Sequence, residues 1–209
     1  MHPFTVLTAV AAPLEIAKID TGMILPGRFM RRHRRPGHDY SDAFLHDLRF
    51  DEKGAERPEF VLNQSAYRNA QILVTDSDFG CGSSREGAAY AVMDFGFRAL
   101  IGPDFGEIFY GNCMQNGILP VILPQTNVHE IWAYLKQQPG ANVTIDLVNQ
   151  TVMTAPDIRY LFEVNQLRKE RLIRGQDDID ATFEYKAKIL DFDSKYRSAR
   201  PWLPTATRF

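Results

Sequence analysis

A chain of 209 residues can bury one sizeable core, or one domain with a helical extension, but is short for several domains. Its 24 Lys and Arg against 26 Asp and Glu leave a net charge of −2, so no overall basic field argues for nucleic acid. No apolar run approaches the roughly 20 residues of a membrane helix and no basic segment precedes the apolar start; a cytoplasmic protein without a membrane partner is expected.

In chain order, residues 5–10 read as a strand, and Asp20-Thr21 follows at the end of the first apolar segment. Asp20 caps a turn there or faces a cleft. Residues 28–37 hold five arginines and one histidine, broken at Pro36-Gly37, which predicts a mobile cationic loop rather than a helix. A solvated charge run is the plain reading of that loop. Further short strands are expected at 72–74, 99–101 and 121–123, with helices near 84–95 and 104–114; the alternation indicates an α/β layer. Asn127 with Glu130 three residues later resembles a capping box, opening a helix that ends near Gln138 before Pro139-Gly140. Val143, Ile145 and Leu147 alternate with polar residues up to Val152, as in a two-stranded hairpin with one buried face. Beyond Pro156, helices are expected over 163–174, closed by Gly175, and over 178–192, started by Asp177 or Asp178. Leu167, Leu172, Ile173, Ile179, Phe183 and Ile189 would supply core or interface packing. The tail 200–209 reads as an extended arm, disordered or docked on a partner through Trp202 and Phe209. Without repeats or a linker, residues 1–209 are one domain, with 156–209 as C-terminal helices and tail.

The run Asp78-Phe79-Gly80-Cys81-Gly82-Ser83-Ser84-Arg85-Glu86-Gly87 lies where a strand turns into a helix. Gly80 and Gly82 can take positive φ and let backbone N–H groups converge on an anion at a helix N-terminus. Ser83 and Ser84 add hydroxyls, and Arg85 adds a planar fork that matches a carboxylate. A Gly/Ser turn that merely caps a helix, with Arg85 on the surface, is the competing reading. It is not a Walker loop, because no Lys-Ser/Thr follows the glycines.

Taken with Asp94-Phe95-Gly96-Phe97, Phe105-Gly106-Glu107-Ile108-Phe109-Tyr110-Gly111-Asn112 and Gly117-Ile118-Leu119-Pro120-Val121, this loop resembles the small subunit of bacterial 3-isopropylmalate dehydratase. Ala17-Lys18-Ile19-Asp20-Thr21 with Ile24-Leu25-Pro26, Leu48-Arg49-Phe50 and Pro58, Phe60-Val61-Leu62-Asn63 extend the likeness over roughly residues 5–190. Two positions depart from it: Gly87-Ala88-Ala89-Tyr90 stands where the family usually has His-Ala-Pro-Trp, and Gly22 where it usually has Asp.

The resemblance implies an α/β fold, the swivelling β/β/α domain of the aconitase superfamily with a C-terminal helical extension. It implies a hydro-lyase of leucine biosynthesis, active only with a large subunit that carries a 4Fe-4S cluster, on a small diacid substrate. Ser83 is then the base that removes the proton α to a carboxylate, with Ser84, Arg85 and Gly82 gripping the carboxylates. Asp20 and Thr21 face the same cleft, Asp20 orienting Arg85 through a bidentate pair. Arg31 and Arg32 would meet the substrate's variable group, with Phe29 or Met30 as an apolar wall. The chain itself would hold no metal, since Cys81 and Cys113 are its only cysteines and a cluster or structural zinc needs three or four ligands. Citramalate, dimethylmalate or homoaconitate are alternative substrates, and a stand-alone carboxylate- or RNA-binding module is an alternative of another class.

Overall fold

A computed structural model describes residues 1–32, 34–35, 39–82, 85–155 and 158–202. The elements in chain order are β1 (Val6–Leu14), α1 (Thr21–Ile24), α2 (His46–Arg49), β2 (Ile72–Thr75), α3 (Glu86–Phe95), β3 (Ala99–Gly102), α4 (Glu107–Gln115), β4 (Leu119–Ile122), α5 (Gln125–Gln137), β5 (Asn142–Asp146), β6 (Thr151–Ala155), β7 (Ile158–Leu161), α6 (Gln166–Arg174), α7 (Asp178–Thr182) and α8 (Lys186–Ser198). One mixed sheet holds all seven named strands in the order β4-β3-β2-β1-β5-β6-β7.

β1 is the strand on which the sheet changes character. Its second half pairs parallel with β2, Ala11 opposite Ile72 to Leu14 opposite Thr75, while its first half pairs antiparallel with β5. On the parallel side every residue of β2 and β3 is buried, as expected of strands covered on both faces. Successive side chains alternate between two cores. Ala12, Leu14, Leu73 and Leu100 face a cluster with Ala88, Ala89, Ala91 and Val92 of α3. Ala11, Ile72, Val74 and Ile101 face Val128, Ile131, Trp132 and Leu135 of α5, where the Trp132 indole N–H donates to the Val74 carbonyl at 3.0 Å. The antiparallel side keeps the expected hairpin alternation, but β7 adds a third strand to it.

Several boundaries differ from the sequence expectations. α5 starts at Gln125 behind Pro124 and its N-cap gives no side-chain bond, so Asn127 sits inside the first turn instead of capping it. The capping box lies later, where Asp177 and Asp180 exchange side-chain and backbone bonds at the start of α7. Gly175 closes α6 in the left-handed region as expected. The second C-terminal helix is split by a 3-10 turn over Phe183–Tyr185. Leu172 is buried and Ile173 packs against the core, whereas Leu167, Ile179, Phe183 and Ile189 are exposed. Residues 203–209 of the tail lie outside the described residues, and Trp202 is exposed.

Between α2 and β2 the chain is held by a buried polar pair. The Arg49 guanidinium donates to the Ser41 and Phe44 carbonyls at 3.2 and 3.1 Å and lies over the Phe95 ring. Asn63 donates to the Arg49 and Arg57 carbonyls at 2.7 and 2.9 Å. Each of those carbonyls keeps a backbone donor, the Arg57 N–H on Arg49 O at 2.8 Å and the Phe60 N–H on Arg57 O at 3.1 Å, so truncating Asn63 removes two hydrogen bonds worth about 0.5–1.5 kcal/mol each. Asn63→Ala is therefore expected to lower unfolding stability by about 1–3 kcal/mol in urea denaturation, and a change below about 0.5 kcal/mol, the range of an ordinary surface substitution, would contradict the role.

Candidate active site

Because β1, β2 and β3 are parallel neighbours, the loops that follow them leave the same edge of the sheet, where ligands of open α/β sheets bind. Backbone bonds knit these loops together. Lys18 N–H donates to Ser77 O at 2.8 Å, Gly80 N–H to Ile19 O at 2.7 Å and Thr21 N–H to Cys81 O at 3.0 Å, so Asp20 bridges Cys81 as a parallel pair. On the other flank Gly106 N–H donates to Phe79 O at 3.0 Å. The packing leaves no room at two points. A Cβ on Gly80, which has φ of +76°, would meet the Phe109 ring at 2.3 Å, and one on Gly106 would lie 2.2 Å from the Gly80 carbonyl oxygen. Glycine in this loop is thus dictated by close approach as well as by the positive φ.

Gly82 is exposed at the rim with φ of +87°. Ser83 and Ser84 lie outside the described residues. Arg85 is the N-cap of α3, in extended conformation and without a capping bond from its own side chain. Its half-buried guanidinium passes over two glycines: Nη1 is 3.9 Å from where a Cβ on Gly22 would stand and 3.7 Å from that of Gly27. Nη1 is also 3.8 Å from the Met30 sulfur. Arg85 forms no ion pair among the described residues, so the bidentate pair expected with Asp20 is not formed. Asp20 instead caps α1, accepting from the Met23 N–H at 2.8 Å. The departure at position 22 has a physical consequence. A Cβ there would stand 3.1 Å from Asp20 Oδ1 and 3.9 Å from Arg85 Nη1, so glycine keeps the gap between these two side chains open.

Thr21 is buried and tied to the loop by its N–H. Arg31 is exposed at the end of the 3-10 turn Phe29–Arg31 and makes no hydrogen bond or ion pair among the described residues. Arg32, expected to meet substrate, is committed: it grips Asp42 with both Nη atoms at 3.0 and 2.9 Å and lies over the Phe29 ring. Arg28 binds both Asp47 oxygens and holds that carboxyl down to about 2. Arg34 grips Asp94. These acids escaped the sequence reading because the partners are 10, 19 and 60 positions apart, spacings with no local signature. Of the loop 28–37, positions 33, 36 and 37 lie outside the described residues.

Cys113 is buried in the core and burial pushes its thiol well above the ordinary range. Cys81 is half-buried in the loop; burial first, then the Asp20 and Asp78 carboxylates, raises its pKa as well. A raised pKa means less thiolate at neutral pH, so the loop thiol is less reactive than its position suggests. Alkylation of Cys81 in the folded chain is expected to climb with pH through a midpoint above the ~8.5 of an unperturbed thiol, with Cys113 unreacted until unfolding. A midpoint at or below that value, read by mass spectrometry, would contradict it.

Comparison with known proteins agrees with this layout. Residues 1–126 match the family model described as the aconitase C-terminal domain, and residues 129–166 match the model described as LeuD_N. The small subunit of 3-isopropylmalate dehydratase from Rhodospirillum centenum is 45% identical over 97% of this chain and 98% of its own length. That from Rhodospirillum rubrum is 44% identical over 99% of both. A crystal structure of 3-isopropylmalate dehydratase (leuD) from Methanocaldococcus jannaschii superposes with a TM-score of 0.63 at 21% identity, covering 90% of this chain and 99% of the other, and shares its fold. The chain belongs to the family of 3-isopropylmalate dehydratase small subunits, built on the aconitase C-terminal domain.

Proposed function

We propose that this chain supplies the proton acceptor and the carboxylate clamp of a cytoplasmic two-chain hydro-lyase that interconverts 2-isopropylmalate and 3-isopropylmalate in leucine biosynthesis. The observation that carries the reading is the Arg85 guanidinium at the mouth of α3, beside Met30 and over two glycines, with no ion pair among the described residues. A planar cation next to a helix N-terminus suits a carboxylate, and the thioether beside it suits an alkyl substituent.

In this reading Arg85, Ser84 and the amide of Gly82 hold the substrate carboxylates, while Thr21 and Asp20 shape the wall and Arg31 meets the substrate's variable group. Ser83 takes the proton α to a carboxylate. A serine oxygen is a poor base unless its negative charge is stabilised, and the Arg85 cation with the oriented N–H groups of the α3 terminus provides that field. Loss of the hydroxyl from the adjacent carbon gives an alkene diacid, and water returns at the other carbon. Two thiols, one sealed in the core, do not fit a cluster, and no group of three potential ligands occurs among the described residues. The 4Fe-4S cluster is assigned to the large subunit.

Exposed Met23, Met30 and Ile108 near the loops, and Phe183, Ile189 and Phe192 on the C-terminal arm, support a large partner chain. Among the described residues no helix is long and apolar enough to cross a membrane. RNA binding fits poorly, because Arg28, Arg32 and Arg34 already face carboxylates. One observation favours a different malate-type acid such as citramalate, dimethylmalate or homoaconitate. A Cβ on Gly87 would lie 2.9 Å from the Leu25 side chain, so the usual histidine is replaced here by an apolar filling.

In the reconstituted pair, Ser83→Ala is expected to cut turnover by about 10²–10⁴-fold while the complex still forms; near-normal rates would remove Ser83 as the base. Arg85→Lys is expected to raise KM by roughly 10–100-fold, since a point charge cannot reproduce a two-pronged grip, and an unchanged KM in steady-state assays would refute the clamp.

A further inference from the structure

Asp94 occupies the last turn of α3, where the negative end of the helix dipole disfavours a carboxylate. Its side chain is only 8% exposed. A charge in that position needs a partner, and Arg34 provides one through two bonds, Nε to Oδ2 at 2.9 Å and Nη2 to Oδ1 at 2.7 Å. Oδ2 also accepts the Tyr40 N–H at 2.9 Å, and the Arg34 guanidinium stacks over the Tyr90 ring, 4.5 Å from its centroid. The Tyr40 hydroxyl reaches back to the Arg32 carbonyl at 3.2 Å. Two-pronged geometry, partial burial and stacking separate this pair from exposed pairs that contribute little.

The placement matters because α3 carries Arg85 at its other end. Arg28, on Asp47, ties the arginine-rich segment to α2, and Arg34 ties it to α3. Met30, between the two ties in sequence, rests against Arg85. We infer that Arg34 is a positioning residue: through Asp94 it fixes the arginine-rich segment to the helix that bears Arg85, so that the Met30 wall and the anion clamp keep one spacing. The inference rests on the diacid reading above.

Two measurements on Arg34→Gln and Arg34→Lys test it. In the reconstituted pair, Arg34→Gln is expected to raise KM for 2-isopropylmalate about tenfold with kcat within about twofold, and Arg34→Lys to recover part of the loss. A parallel fall in kcat with KM unchanged would assign Arg34 to general folding and overturn the inference, as would unaltered kinetics. Limited trypsin digestion of the full chain alone is independent of the reaction. Arg34→Gln should be cut faster after Arg31 and Arg32 than the parent chain, and equal rates would overturn the tie itself. An inactive parent pair with faster cleavage of Arg34→Gln would count against the diacid reading and leave the tie standing.

Discussion

The pairing of residues 18–21 with residues 77–81 is the constraint on which the site depends. Two segments some sixty positions apart are brought into register because β1 and β2 are parallel neighbours, and the backbone bonds from Gly80 to Ile19 and from Thr21 to Cys81 extend that register past the strand ends. Once this pairing is set, the first turn of α3 must start beside the first turn of α1. Arg85 then has one surface to cross, and glycine at 22 and 27 keeps it clear. Any side chain at Gly106 would push the loop off the Gly80 carbonyl and so shift the cation that the loop precedes.

Charge is distributed so that, among the described residues at the site, the Arg85 and Arg31 cations form no ion pair. A chain with net charge −2 could easily quench every arginine, and in the cationic segment most of the quenching is local to the site. Arg28, Arg32 and Arg34 each face an aspartate, while Arg85 touches a thioether and forms no ion pair among the described residues. The cost of holding an arginine beside apolar groups is recovered when an anion arrives. In the proposed function this wall takes the carboxylates, and hydroxyl departure falls to the partner chain, since two cysteines are too few to hold a cluster.

Much of this was legible in the sequence, for identifiable reasons. Strand, glycine-rich turn and Ala-rich helix follow local rules, so the position of the loop and the ends of β2, β3 and α3 were close to their final places. Gly175 and Asp177 were readable because a C-cap glycine and an N-cap aspartate act within one turn. Asn127 misled for the same kind of reason: its spacing to Glu130 is right, but Pro124, with its φ already preset, starts the helix earlier. What local rules could not give is tertiary pairing. Neither the commitment of Arg32 to Asp42 nor the addition of β7 has a short-range signature, whereas the capping of a turn by Asp20 was one of the two readings the sequence offered.

The division of labour can be read directly from a crystal structure of the chain reconstituted with its large subunit and 2-isopropylmalate. The expected result is a substrate carboxylate within hydrogen-bonding distance of both Nη atoms of Arg85, with the Ser83 hydroxyl near the carbon that loses its proton. A diacid whose carboxylates are bound without Arg85, or whose reacting carbon is approached by no group of this chain, would contradict it.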